Sequence, residues 1–181
     1  MKKYELTSET KIVFGHILYR IKALSSFGCV SAGDLGGFLE SEKNLSQNGN
    51  AWVDGDAEVF GDAWVYGDAE VSGNAEVFGD ARVSGNAEVS GDAEVFGNAE
   101  VSEIGAIFWI GAIGSRNDTA TFFRCRDGSI KVVCGCFFGN LDEFAKKVRK
   151  THGDNDHAKV YMLAIEMAKI RIGDKKEKTE E

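Results

Sequence analysis

Proline is absent from the chain altogether, so no position carries the ring that breaks strand ladders and helices. No apolar run is long enough to span a bilayer: the longest, Ile104 to Gly114, is short and glycine-rich. The first 30 residues lack the apolar core of a secretory leader. A soluble, cytoplasmic protein that does not engage membranes is therefore expected. Cysteine is sparse. Four cysteines, two of them as Cys134-Gly-Cys136, do not make the framework of a secreted disulfide protein, and reduced thiols are expected. Cys29 and Cys125 do not supply the second close pair that zinc prefers, and no Cys-x-x-Cys redox motif occurs. Neither a metal nor a cofactor is expected. Positive charge is scarce in one stretch. The net charge is −8, and residues 49 to 102 alone hold six Asp, six Glu and one Arg. Such a segment repels polyanions, so nucleic-acid binding along it is not expected.

What the chain does have is repetition. Gly49 to Ser102 is nine consecutive copies of Gly-(Asp/Asn)-Ala-x-Val-x, with no insertion. A period of six is too short for a helical hairpin and points to a solenoid in which each hexad forms one side of a coil. Ala-x-Val-x alternates like a strand, with Ala and Val facing inward. The Gly-(Asp/Asn) pair turns the corner, because these residues tolerate positive φ. Three sides close a triangular coil of 18 residues. Outward residues 18 apart then stack, and one wall carries Phe60, Phe78 and Phe96 beside Glu58, Glu76 and Glu94. That ladder is either an intrachain stack or, the favoured reading, a subunit interface.

Around this rod the sequence divides into an N-terminal β cap (1–27), a β-helix (28–114), a C-terminal ββαα module (115–173) and a charged tail (174–181). The cap reads as two strands, from Tyr4 to Val13 and from Ile17 to Leu24, packed on the open end of the coils. Counted backwards, the hexad register puts Leu45 and Leu39 in the Ala column and Leu35 in the Val column. Counted forwards, Ile107 and Ile113 keep the Val register and suggest one more imperfect coil. Asp127-Gly128 predicts a two-residue hairpin turn pairing Phe123 with Val132 and Thr121 with Cys134. Asn140 caps a helix with Leu141, Phe144, Ala145 and Val148 on one face. A second helix from Asp154 or Asn155 has the apolar stripe Val160, Leu163, Ala164, Met167 and Ile170.

The repeat, with Val at its first position, Ala four residues on and Asn or Asp before the Ala, resembles the left-handed parallel β-helix of hexapeptide-repeat proteins. The best-known members are acyltransferases and usually homotrimers, so the resemblance implies a three-fold assembly. The segments Gly33-Asp34-Leu35-Gly36-Gly37, Ile113 to Asp118, Thr121-Phe122-Phe123-Arg124, Cys134-Gly-Cys136-Phe137 and Thr151-His152-Gly153-Asp154 look like those of phage and prophage proteins labelled polymer-forming. That likeness implies a viral accessory protein in a bacterial cell.

Three functions follow. The first is a non-enzymatic homotrimer, joined through Phe60, Phe78 and Phe96, that sequesters a small anionic, nucleotide-like ligand or a host defence protein. Its contacts would be the basic and polar groups of an otherwise acidic chain: Ser115, Arg116, Asn117, Arg124, Arg126, Lys131 and His152. The second is a structural, polymer-forming scaffold. The third, an acyltransferase, has against it that the nine hexads contain no His and no interrupting loop; the histidines lie at 16, 152 and 157.

Overall fold

The structure is a computed structural model that describes residues 2–173. The charged tail expected at 174–181 lies outside the described residues. The chain forms two compact units, Met1–Ile104 and Gly105–Glu181.

The first unit is a β-solenoid of about four turns. It begins with strands β1 (Tyr4–Val13), β2 (His16–Ala23) and β3 (Leu35–Leu39). The hexads then give two-residue strands: β4 (Trp52–Val53), β5 (Glu58–Val59), β6 (Trp64–Val65), β7 (Glu70–Val71), β8 (Glu76–Val77), β9 (Arg82–Val83), β10 (Glu88–Val89), β11 (Glu94–Val95) and β12 (Glu100–Val101). Parallel pairing makes three walls: β3-β5-β8-β11, β4-β7-β10 and β6-β9-β12. Trp52 faces Glu70 and Glu70 faces Glu88, the expected step of 18. Every Ala and Val of the two columns is at most 1% exposed, because a triangular bore this narrow admits only small and branched side chains. Each hexad glycine turns its corner with φ between 59° and 75°, which a Cβ would strain. Corner amides stack as well: Asn50 Nδ2 donates to Asp68 Oδ1 at 2.9 Å, and Asn74 Nδ2 to Asp92 Oδ1 at 3.0 Å.

The first coil departs from the counted register. Leu39 faces Val59 and Leu45 faces Val65, an offset of 20 where the regular coils have 18. Both leucines therefore stand in the Val column, and Leu35 lies outside it, paired with Lys22 and 55% exposed. Backbone bonds place the two extra residues at the corner after Leu45, since Ser46 donates to Val65 O while Asn50 donates to Gly67 O. Backward counting cannot see an insertion at a polar corner. Gly36 and Gly37 serve close approach: a Cβ on Gly37 would come within 2.5 Å of Ala57 O, and one on Gly36 would meet Val53 O and the Trp52 ring.

The N-terminal hairpin covers one coil edge by strand addition, β2 pairing antiparallel with β3, which satisfies backbone groups that would otherwise invite a foreign strand. Lys11 and Arg20 lie over the Phe38 ring at 3.9 and 4.3 Å, and Lys11 Nζ reaches Glu58 Oε1 at 2.6 Å. His16 Nδ1 sits 3.0 Å from Glu40 Oε1. This contact, the largest cause, holds the Glu40 carboxyl below its usual range. The phenylalanine wall is in part an intrachain stack. Phe60 and Phe78 are parallel at 5.0 Å, Phe78 and Phe96 stack at 4.7 Å, and Phe14 and His16 approach Phe60 at 6.3 and 5.2 Å. Phe60 is buried within its own chain.

The second unit is a four-stranded antiparallel sheet, β13 (Ile107–Ile113), β14 (Asp118–Arg124), β15 (Ile130–Cys134) and β16 (Phe137–Asn140), followed by helices α1 (Leu141–His152) and α2 (Asp156–Ile172). The extra coil expected over 104–113 does not form. Ile107 and Ile113 instead face Phe123 and Asp118 in an antiparallel ladder, because a longer strand with a turn at Gly114 finds a nearer partner than another coil. The hairpin register is also one residue off the expected one. Phe122 faces Val132 and Ala120 faces Cys134. The turn runs over Cys125–Gly128, with Gly128 N donating to Cys125 O and φ of 79° at Gly128, so three residues rather than two lie in the loop. Asp127 Oδ1 holds it by accepting from Ser129 N and Oγ at 3.0 and 2.6 Å.

Asn140 caps α1 as expected: its Oδ1 accepts from Glu143 N, while Glu143 Oε2 accepts from Asn140 N, both at 2.9 Å. Ile113, Ala120, Phe122, Val132, Phe144, Val148, Tyr161, Ile165 and Ile172 form the core between sheet and helices. On helix α2 only Ala164 of the expected stripe is buried. The helix buries Ala158, Tyr161, Ala164, Ile165, Ala168 and Ile172 and exposes Val160, Leu163, Met167 and Ile170. Apolar residues occupy two of its faces, and the stripe with larger side chains is the outer one.

Candidate functional site

The second unit contains a cleft of about 250 Å³ whose lining joins the β13–β14 turn, the β15–β16 turn and the last two turns of α1. Its floor is aromatic. Phe137 packs on Phe144 at 5.1 Å, Phe144 meets Tyr161 edge-on at 5.4 Å, and the His152 ring lies over Tyr161 at 5.8 Å with 29° between planes. Its rim is polar and cationic: Ser115, Arg116, Lys147, Thr151 and His152.

Local sequence explains how these groups meet. Gly114 turns the chain out of β13 with φ of 73°, against the Tyr161 hydroxyl. Asn117 follows in the left-handed region with φ of 52°, so the turn closes within a few residues. Gly135, with φ of 55°, leaves room for the Arg116 guanidinium, which a Cβ there would strike. Arg116 Nη2 stands 3.6 Å from Asp118 Oδ2, a loose, exposed pairing that leaves the guanidinium able to engage an anion. Lys147 and Thr151 share one face of α1 at a spacing of four, and His152 is the last residue of that helix.

Two buried groups close the floor. Cys134 Sγ lies 3.6 Å from Tyr161 Oη. Burial raises the thiol of Cys134 and the phenol of Tyr161 above their ordinary ranges, so both stay protonated near neutrality. A protonated thiol is a poor nucleophile. The cleft is thus built to attract negative charge at its rim and to stack a flat group on its floor.

Of the residues singled out in the sequence, Ser115, Arg116 and His152 line this cleft. The others do not join them. Asn117 shapes the turn. Arg124 donates to the Ile172 carbonyl at the end of α2, and Arg126 lies in the exposed hairpin loop. Lys131 reaches over the Phe138 ring at 5.9 Å. The register pairs Arg124 with Ile130 and Lys131 with Phe123, which puts Arg124 and Lys131 on opposite faces of the sheet. Lys147, Thr151 and Tyr161 escaped the sequence reading. Lys147 was one of several basic residues suited to a helix end, and Tyr161 lies off the stripe that periodicity selects. Among the described residues no group of three His, Cys, Asp or Glu is placed to hold a metal ion, and no helix is long and apolar enough to cross a membrane.

Fold and cleft together define a β-solenoid protein bearing a separate sheet-and-helix unit with a cationic, aromatic-floored cleft. No family model matches the chain, and no curated protein matches it either.

Proposed function

We propose that the chain is a non-enzymatic binding protein whose second unit captures a small anionic ligand with a flat ring, of the nucleotide class, in the cleft between Arg116, Lys147 and His152. The observation that carries this reading is the convergence of three cationic or titratable side chains on an aromatic floor in a chain of net charge −8. Phosphate or carboxylate oxygens suit the Arg116 fork and the Lys147 ammonium. The ring stacks on the outer side of His152, which itself lies over Tyr161. Three-fold assembly through the exposed end of the phenylalanine wall, Phe78 and Phe96 with Phe14, belongs to the same reading. So does a viral accessory role in a bacterial cytoplasm, where sequestering a nucleotide signal needs no chemistry.

Thermal unfolding with and without cyclic dinucleotides and ADP-ribose derivatives tests it. A ligand at a hundred times its Kd adds about 2.7 kcal/mol, and Arg116→Ala with Lys147→Ala should abolish the gain. A panel that leaves the melting point unmoved refutes the reading. A polymer-forming scaffold is less well supported, because the N-terminal hairpin covers an edge that end-to-end growth would use. For an acyltransferase, His16 is engaged by Glu40, and His152 and His157 lie off the coils.

A further inference from the structure

The outer face of α2 carries Val160, Leu163, Met167 and Ile170, which are 43%, 64%, 51% and 83% exposed. Their spacing of three, four and three is that of the a and d positions of a two- or three-stranded helical seam. The opposite face of the same helix is already sealed against the sheet by Tyr161, Ile165, Ala168 and Ile172. The outer stripe is therefore not part of the core of its own unit. Four large apolar side chains aligned over three turns of helix are more than scattered surface residues.

The flanks say what covers it. On the heptad that places Val160 and Met167 at a, Lys159 and Glu166 stand at g, and Ala164 and Arg171 at e. In a parallel pairing a g residue meets the e residue five positions on in its neighbour. That brings Glu166 of one copy, which holds Lys169 of its own helix at 2.8 Å, to Arg171 of the next, an attractive pair. Ala164 is buried against its own sheet, and Lys159 stays paired with Asp156 at 2.8 Å. Along one side of the stripe runs a groove of about 470 Å³ lined by Ala158, Met162 and Leu163, with Arg149 and Glu166 at its edges, space for a neighbour's side chains. A parallel seam also suits closed cyclic symmetry, since the symmetry axis runs along the helices and the same stripe meets itself.

We infer that a second copy of this chain docks on the Val160–Leu163–Met167–Ile170 stripe through parallel pairing of α2. This contact is separate from the anion cleft and from the phenylalanine wall, so Phe78→Ser/Phe96→Ser run beside the stripe variant makes its failure and that of the proposed function distinguishable. The test is sedimentation equilibrium of the full chain across a concentration series, comparing wild type with Leu163→Glu/Ile170→Glu, both sites being exposed in the single chain. Circular dichroism should show unchanged helix content. Wild type is expected to associate, and the double variant to associate at least about 100-fold more weakly. Glu166→Arg or Arg171→Glu alone should weaken association, and the two together should restore it.

A wild-type chain that stays monomeric across the series overturns the inference, as does a double variant of unchanged mass. Charge swaps that fail to rescue overturn the parallel arrangement. Binding of wild type, but not of the double variant, to phosphatidylglycerol vesicles without self-association would assign the stripe to a lipid surface instead and equally overturn it.

Discussion

Asn44 offers the sharpest test of how the irregular first coil is joined to the regular ones. It is fully buried. Its Nδ2 donates to Gly61 O at 3.0 Å and Ala63 O at 2.9 Å, and its Oδ1 accepts from Ser41 N and Oγ at 2.9 and 3.2 Å. Asn44→Asp changes almost no volume but points a carboxylate oxygen at two carbonyls. The loss of two donated bonds and the burial of a charge without a cation cost about 3–5 kcal/mol. In a unit of roughly a hundred residues each kcal/mol moves Tm by about 4 °C or more, so a fall of at least about 12 °C at pH 7 is expected. The sign with pH follows from linkage. The new carboxyl has its folded pKa raised, so the penalty is full above that value and shrinks as pH falls and the group takes a proton. Far-UV circular dichroism melts of both proteins at neutral and mildly acidic pH measure the difference. A variant within about 3 °C of wild type at pH 7, or a deficit that widens on acidification, would refute the reasoning.

Burial first, then the stacked carboxylates Glu58 and Glu94, raises the Glu76 carboxyl, with Lys11 opposing. A raised folded pKa means stability present at low pH and lost as pH rises. Glu76→Gln should therefore raise Tm relative to wild type at neutral pH, with the gain vanishing below the carboxylate range; a variant less stable than wild type at pH 7 contradicts the stack. Gly114→Ala sets a Cβ against the Tyr161 hydroxyl at a left-handed φ, so it should destabilise by about 1–3 kcal/mol and weaken anion binding in titration calorimetry. Cys29 and Cys136 are exposed, whereas Cys125 and Cys134 are buried with thiols pushed up by burial. Iodoacetamide followed by mass spectrometry should label the first pair rapidly and the second only on unfolding.

How much of this was legible depended on whether local pattern and tertiary partner agreed. In the hexads they did: glycine corners, the Ala and Val columns and the step of 18 are each dictated within six residues. The Asn140 cap was legible for the same reason. Where two local solutions were close in energy, the pattern misled. Asp127-Gly128 suits a two-residue turn, but the Ser129 hydroxyl and amide hold Asp127 in a three-residue one, and every pair downstream moved by one. On α2, apolar spacing selected Val160, Leu163, Ala164, Met167 and Ile170, while the sheet accepted the flatter face of Ala158, Ala164 and Ala168 around Tyr161, so only Ala164 is common to both. The same choice concealed Tyr161 as the floor of the cleft. Arg124, Arg126 and Lys131 were grouped by charge alone, and charge does not fix which way a strand turns its side chains.

The step of 18 makes the rod countable. A deletion or duplication of one whole coil shortens or lengthens it by about 4.8 Å and returns every side chain to its own wall. Adding a single hexad turns each following residue onto the next wall, so Phe96 would no longer stand above Phe78. Length in such a molecule is quantised, and the unit of tolerated change is three hexads, not one.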